Sequence, residues 1–146
     1  MSNSTIGLII GGFIPAIFYA ASGIFGKVST KAGMGTGPYL IMIGLAILLL
    51  GIITASLSHN WNFPIKGTLS SFSSGLVWGI GTGLFALALS KYNSPVSQLA
   101  PLYNMNTLFV VIFGLIIFSE WKDMEVVKLL TGTVMVIGGS ILVSLA

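Results

Sequence analysis

Long runs without charge dominate this sequence. The connections between them, GKVSTKAGMGTGP, SHNWNFPIKGT, KYNSP and SEWKDME, hold all three acids, the single histidine and every lysine except Lys128. A helix needs about 20 apolar residues to cross the hydrocarbon core of a bilayer. The pattern predicts five spanning helices, over 5–25, 39–57, 70–90, 96–118 and 124–146. Only 6% of the 146 residues are charged, and mean hydropathy is +1.02. A soluble surface uses about 25% charged residues. The expected fold class is therefore an all-α membrane protein, one five-helix domain over 1–146.

The connections carry the expected punctuation. Glycine and proline mark turns. Asp123 is placed to cap the last helix, and Glu125 suits its dipole. In a five-span path Trp61 and Trp121 fall at one membrane surface, and Tyr39 and Tyr92 at the other, as interfacial aromatics should. The N-terminal apolar run has no Lys or Arg before it and continues to Phe25. That is too long for the core of a signal peptide, so it reads as a retained helix. Five spans place the termini on opposite surfaces. The N-terminal surface then holds Lys66, Lys122 and Lys128, and the other holds Lys27, Lys31 and Lys91. Orientation follows Lys/Arg bias in short loops. Three against three gives almost none, which permits dual topology, the same chain inserting both ways.

Polar residues inside the spans mark where function would sit. In lipid they are costly, and they face protein or a water-filled cavity. The fourth span is the richest. At 100° per residue Ser97, Gln98, Pro101 and Asn104 fall within about a third of the circumference, and Asn106 widens that arc. Pro101 has no N–H, so the carbonyl of Ser97 loses its helical partner. A proline-interrupted span with polar neighbours points to a transport site. From Leu108 to Phe118 only Gly114 interrupts the apolar run.

The first span repeats the theme, with Pro15, Tyr19, Ser22, Gly23 and Gly26 on one face. Pro15 frees the carbonyl of Gly11. Lys27 either reaches the mouth of the cavity or extends to headgroups. The third span carries Gly75, Gly79 and Gly83, four apart, which lets another backbone approach. Beside them run Ser71, Ser74, Trp78, Thr82 and Phe85. Trp78 is the only tryptophan well inside a span, and an aromatic with a polar N–H suits small organic solutes. The second span is featureless from Leu40 to Ile53 and is expected to face lipid. In the fifth, Gly132 and Gly139 share a face with Lys128 and Met135, which reads as a helix contact, within or between subunits.

What is missing narrows the function. The chain has no cysteine, and no Asp, Glu or His lies in a predicted span. That argues against a proton relay through a buried acid and against hydrolysis or metal catalysis. No catalytic residue, metal site or cofactor is expected. His59 reads as a solvated loop side chain. The lysines are scattered, so a pI of 9.4 makes no nucleic-acid footprint.

The C-terminal half, SPVSQLAPLYNMNTLFVVIFGLIIFSEWK followed by LLTGTVMVIGGSILV, resembles the second half of an EamA unit of the drug/metabolite transporter superfamily. The elements that carry the resemblance are Pro101 in the first half of a span, Glu120 closing that span, and Gly132, Gly138 and Gly139 in the last one. PLYNMNT is similar to the sugar-uptake branch. The resemblance implies a half-transporter, since most EamA proteins hold two such units, inverted, with the substrate path between them. It implies a homodimer, antiparallel in the simplest case, or a paralogous five-helix partner. Glu120 carries over as a turn residue, capping or pairing with Lys122.

Together these readings predict a multi-pass protein of the cell (inner) membrane. It would move small neutral or zwitterionic metabolites by alternating access. The expected lining is Tyr19, Ser22, Trp78, Thr82, Gln98, Asn104 and Asn106, with kinks at Pro15 and Pro101. The competing expectation is a non-transporting membrane subunit or assembly factor, in which the polar arc would be an interhelical seam.

Overall fold

The computed structural model describes residues 3–122 and 124–145. Every regular element among them is a helix. The first span is built from α1 (Asn3–Leu8), a π-helical turn (Ile9–Phe13) and α2 (Ile14–Lys31). Next come α3 (Thr36–Leu57) and α4 (Ile65–Lys91), one span each. The fourth span is α5 (Val96–Tyr103) followed by α6 (Asn106–Ile117), and a 3-10 turn (Glu120–Lys122) leads to α7 (Val126–Ser144). All five spans are long and apolar enough to cross a membrane.

The prolines sort by position. Pro64 and Pro95 are the residues before α4 and α5, with extended backbone, and Pro38 lies in the first turn of α3. The first turn needs no N–H from its own residues, so proline is tolerated there. Pro15 and Pro101 lie inside spans and have to be accommodated.

Several boundaries differ from the expected ones. The first span runs on to Lys31 rather than Phe25, so GKVSTK is helix and not connection. The third begins at Ile65 rather than Ser70. In both places lysine and small polar residues occupy the end turns, where a helix leaves the hydrocarbon and polarity no longer signals a loop. The last helix begins at Val126, two residues late. Asp123, its expected cap, lies outside the described residues, as does the Glu120 side chain. Glu125 stands at the cap position without a capping bond, and its carboxylate pairs with Lys128 Nζ at 2.5 Å.

The connections end their helices in a common way. Gly33 (φ 89°) follows α2, and His59 (50°), Asn93 (53°) and Ser119 (56°) follow α3, α4 and α6. After α2 the Met34 N–H reaches back to the Ser29 carbonyl at 3.2 Å, and after α3 the Asn60 N–H reaches Ala55 at 3.1 Å. These bonds satisfy carbonyls that a helix end leaves unpaired. The loop histidine thus holds a left-handed turn position.

The chain divides into two compact units: Ile24–Asn93, and Met1–Gly23 with Ser94–Ala146. In the first, three helices meet at Gly26. A side-chain carbon there would lie 2.8 Å from Tyr39 Oη and 3.8 Å from Leu89 Cδ1. Tyr39 and Leu89 are buried there, and Thr30 on α2 and Ala86 on α4 are buried in the same unit. Tyr39 and Tyr92, expected at one membrane surface, both lie at span ends, Tyr39 in the first turn of α3 and Tyr92 just after α4. Only Tyr92 is exposed, because the bare backbone of Gly26 admits the Tyr39 ring. Apolar side chains gain little by leaving lipid, so helix association rests on this kind of close approach and on van der Waals contact.

In the second unit α7 packs against α5 and α6. Its inward face is Val126, Leu129, Thr133, Ile137 and Ser140, at spacings of three and four. The hydroxyls of Thr133 and Ser140 donate to the carbonyls of Leu129 and Val136, each at 2.8 Å, so their burial leaves no hydroxyl proton unpaired. Gly132 and Gly139 lie on the exposed side, with nothing within 4 Å of an added carbon.

Candidate functional site

The two membrane-embedded prolines stand in different local structure. Before Pro15 the helix widens. The Ile14 N–H bonds the carbonyl of Ile9, five residues back, across a π turn. Proline cannot donate to Gly11 and its ring crowds that carbonyl, so the preceding turn opens. Around Pro101 the helix continues to Tyr103 and then breaks at Asn104–Met105. The expected single helix over 96–118 is therefore two helices. Across the break the hydrogen bonds tighten. Met105 bonds Leu102 at 3.1 Å, Thr107 bonds Asn104 at 3.0 Å and Leu108 bonds Met105 at 3.0 Å, each three residues back.

The break concentrates the polar residues of the fourth span. Gln98 and Pro101 are half-buried on α5, Asn104 is in the break, and Asn106 opens α6. Asn104 and Asn106 are exposed. The side chains of Gln98, Asn104 and Asn106 make no hydrogen bond among the described residues. Polar amides at this depth, in a span of mean hydropathy 1.8, are satisfied by water, solute or another chain. Tyr19 and Ser22 belong to the same unit, on α2, and both are exposed. There α2 lies beside the start of α5: a carbon on Gly23 would be 3.8 Å from Val96 Cγ1.

Trp78 and Thr82 belong to the other unit, four residues apart on α4. Thr82 is half-buried beside Gly83 and Ala86. Trp78 lines a gap of about 500 Å³ between α3 and α4, whose other walls include Leu40, Ile43, Ile47, Leu76 and Ile80. The gap is aliphatic and glycine-lined, and no second polar side chain joins the indole N–H there. Sequence reasoning paired Trp78 with polar residues of other helices. The structure leaves it 49% exposed and sets it, within its own unit, beside α3, whose span is almost wholly exposed, as expected of a lipid-facing stretch.

Sequence reasoning missed two features. The π turn has a signal in Gly11-Gly12 ahead of Pro15. The break at Asn104–Met105 has a weaker one, since neither residue is glycine or proline. No group of three or more His, Asp or Glu side chains is placed to hold a metal ion among the described residues.

Five spans of this composition define an all-helical, multi-pass membrane protein. No protein-family model, curated protein or solved structure matches the chain.

Proposed function

We propose that this protein is a small EamA-like membrane transporter that carries neutral or zwitterionic metabolites by alternating access, as a dimer of five-helix units in the cell (inner) membrane. The observation that carries this reading is the interrupted fourth span. A spanning helix broken at mid-length, with unpartnered amides at the break, is the usual construction of a solute site in secondary transporters. The candidate lining is Tyr19, Ser22, Trp78, Thr82, Gln98, Asn104 and Asn106, with Pro15 and Pro101 as the proposed kink positions of the first and fourth spans. The lining carries no charge, which favours neutral or zwitterionic solutes. With no acid in a span, movement down a gradient is the default mode. The simplest dimer is antiparallel, permitted by the equal lysine count expected at the two surfaces; a paralogous five-helix chain is the other way to complete it.

The test is uptake into vesicles that hold the purified protein, screened against sugars, polyols and amino acids. Asn104→Ala and Trp78→Ala are each expected to lower uptake of the responsive solute about tenfold or more. Unchanged uptake in both variants would remove this site. A reporter fused at Ala146 and found on both sides of the membrane supports dual topology; a single location excludes it. The open faces around Gly132 and Gly139 favour a second reading, a non-transporting subunit docked to a larger complex. Vesicles that move no solute, with co-purification of one fixed partner, would select it.

A further inference from the structure

The break at Asn104–Met105 strips a carbonyl of its donor. In a continued helix the Met105 N–H would bond Pro101, four residues back. It bonds Leu102 instead, at 3.1 Å, and the Pro101 carbonyl has no donor among the described residues. One turn earlier, the Ser97 carbonyl faces Pro101, which has no N–H to give. Both oxygens belong to α5, whose C-terminal end stops inside the span and carries partial negative charge there.

A further acceptor lies at the same depth, within the same unit. The short turn over 118–125 makes α6 and α7 antiparallel, and Ser140 lies as far into α7 from Val126 as Tyr103 lies back from Ile117. Ser140 is 9% exposed, on the face of α7 that packs against α5 and α6. Its one proton is given to the Val136 carbonyl at 2.8 Å. What the hydroxyl still offers is lone pairs. Gln98, half-buried on the turn before Pro101, and Asn104, in the break, add amide oxygens.

The set is rich in neutral oxygen acceptors. A solute hydroxyl brings acceptors along with its donor, whereas a cation takes acceptors alone. Calcium and magnesium sites are built on carboxylates, and all three acids lie in the turn before α7. Thiolate and imidazole, which suit softer metals, are absent from the span as well. A hard monovalent ion fits this donor set. Interrupted spans of secondary transporters hold sodium in this manner, through unwound carbonyls and the C-terminal ends of half-helices.

We infer that the break in the fourth span binds a sodium ion through the Pro101 carbonyl and the Ser140 hydroxyl, with the amide oxygens of Gln98 and Asn104 and water completing the shell. The inference rests on the transporter reading above and names its coupling ion, so that a sodium gradient drives the solute.

The test is binding of radiolabelled sodium to the purified full-length protein in choline buffer. Saturable binding is expected, displaced by unlabelled sodium and not by potassium. Ser140→Ala should weaken it about tenfold or more, with helicity unchanged. Thr133→Ala is the matched control: that buried hydroxyl on α7 likewise donates within its own helix, to Leu129, but lies two turns from Ser140, and binding should not change. Asn104→Leu, at an exposed position, should weaken binding too and gives a second readout if Ser140→Ala does not fold. The absence of saturable binding, displacement by potassium as readily as by sodium, or equal losses in Ser140→Ala and Thr133→Ala would overturn the inference. Uptake assays in sodium and in choline buffer separate it from the reading beneath it. Equal uptake in both, without sodium binding, overturns the sodium site and leaves the transporter; sodium binding without uptake of any solute keeps the site and removes the transporter.

Discussion

Around Gly26 three helices close on one another. Tyr39 and Leu89 come from α3 and α4 onto a glycine of α2, and Leu89 is 2% exposed. Around Asn104 the chain does the reverse. The helix stops, its hydrogen bonds shorten to three-residue turns, and the amide has no partner among the described residues. The first arrangement holds helices together in a solvent that gives them little reason to associate. The second leaves polar groups to be satisfied by something the chain does not supply. Stability and function are thus expected to separate in space, and substitutions can test that separation.

The largest effect is expected at Leu89. Leu89→Ala empties a filled position beside Gly26 and is expected to cost about 2–5 kcal/mol, read as loss of helicity on denaturant titration in detergent. A cost under about 1 kcal/mol would mean that the site collapses freely and is not the packed centre described here.

Gly26→Ala comes next. The added methyl would sit 2.8 Å from Tyr39 Oη, so overpacking is expected to cost about 1–3 kcal/mol. Tyr39→Phe removes that oxygen, leaving ring carbon Cζ at 3.6 Å, an ordinary contact. The double variant should therefore recover most of the loss. Additive costs in a double-mutant cycle would show that the two groups do not meet.

How much of this was legible in the sequence follows from the same contrast. The five spans were, because insertion depends on local composition, and the composition of each stretch is unambiguous. The polar arc of Gln98, Pro101, Asn104 and Asn106 was legible too. Its break was not. Pro101 marked the span as irregular, but the helix continues past it to Tyr103 and ends at Asn104–Met105, where no residue type demands it. The place of Tyr39 at the end of a span was legible; the burial of its ring against Gly26, thirteen residues away on another helix, was not. The opening between α3 and α4 is equally a matter of how two helices diverge, which no single stretch encodes. Sequence gave the material of each region, and tertiary approach decided which became closed.

His59→Gly is a smaller test, on neither side of the contrast. His59 sits at φ 50° just after α3, and its N–H bonds the Ser56 carbonyl at 3.3 Å. A left-handed residue with a side chain costs about 1–2 kcal/mol that glycine avoids. Glycine returns part of that through greater freedom in the unfolded chain, about 0.4–1 kcal/mol. The net expectation is a gain of about 0.5 kcal/mol, with uptake unchanged. A loss of stability would show that the imidazole makes a contact worth more than the strain it imposes.

Asn104→Leu should have the smallest effect on stability and the sharpest consequence for the comparison. The amide is exposed and, among the described residues, makes no bond that its loss would break. Replacing it with an apolar group of similar size removes a polar burden from a membrane span, so the change should lie within about 0.5 kcal/mol of zero or be stabilising. Uptake, by contrast, should fall about tenfold or more if the amide binds solute. Leu89→Ala is the mirror image, lowering stability while leaving the rate per folded molecule unchanged. If Asn104→Leu instead unfolds the protein, the amide is a structural bond made across subunits, and the polar arc is a seam rather than a site. The pair of variants, each assayed for melting and for uptake, decides between those two uses of the same side chain.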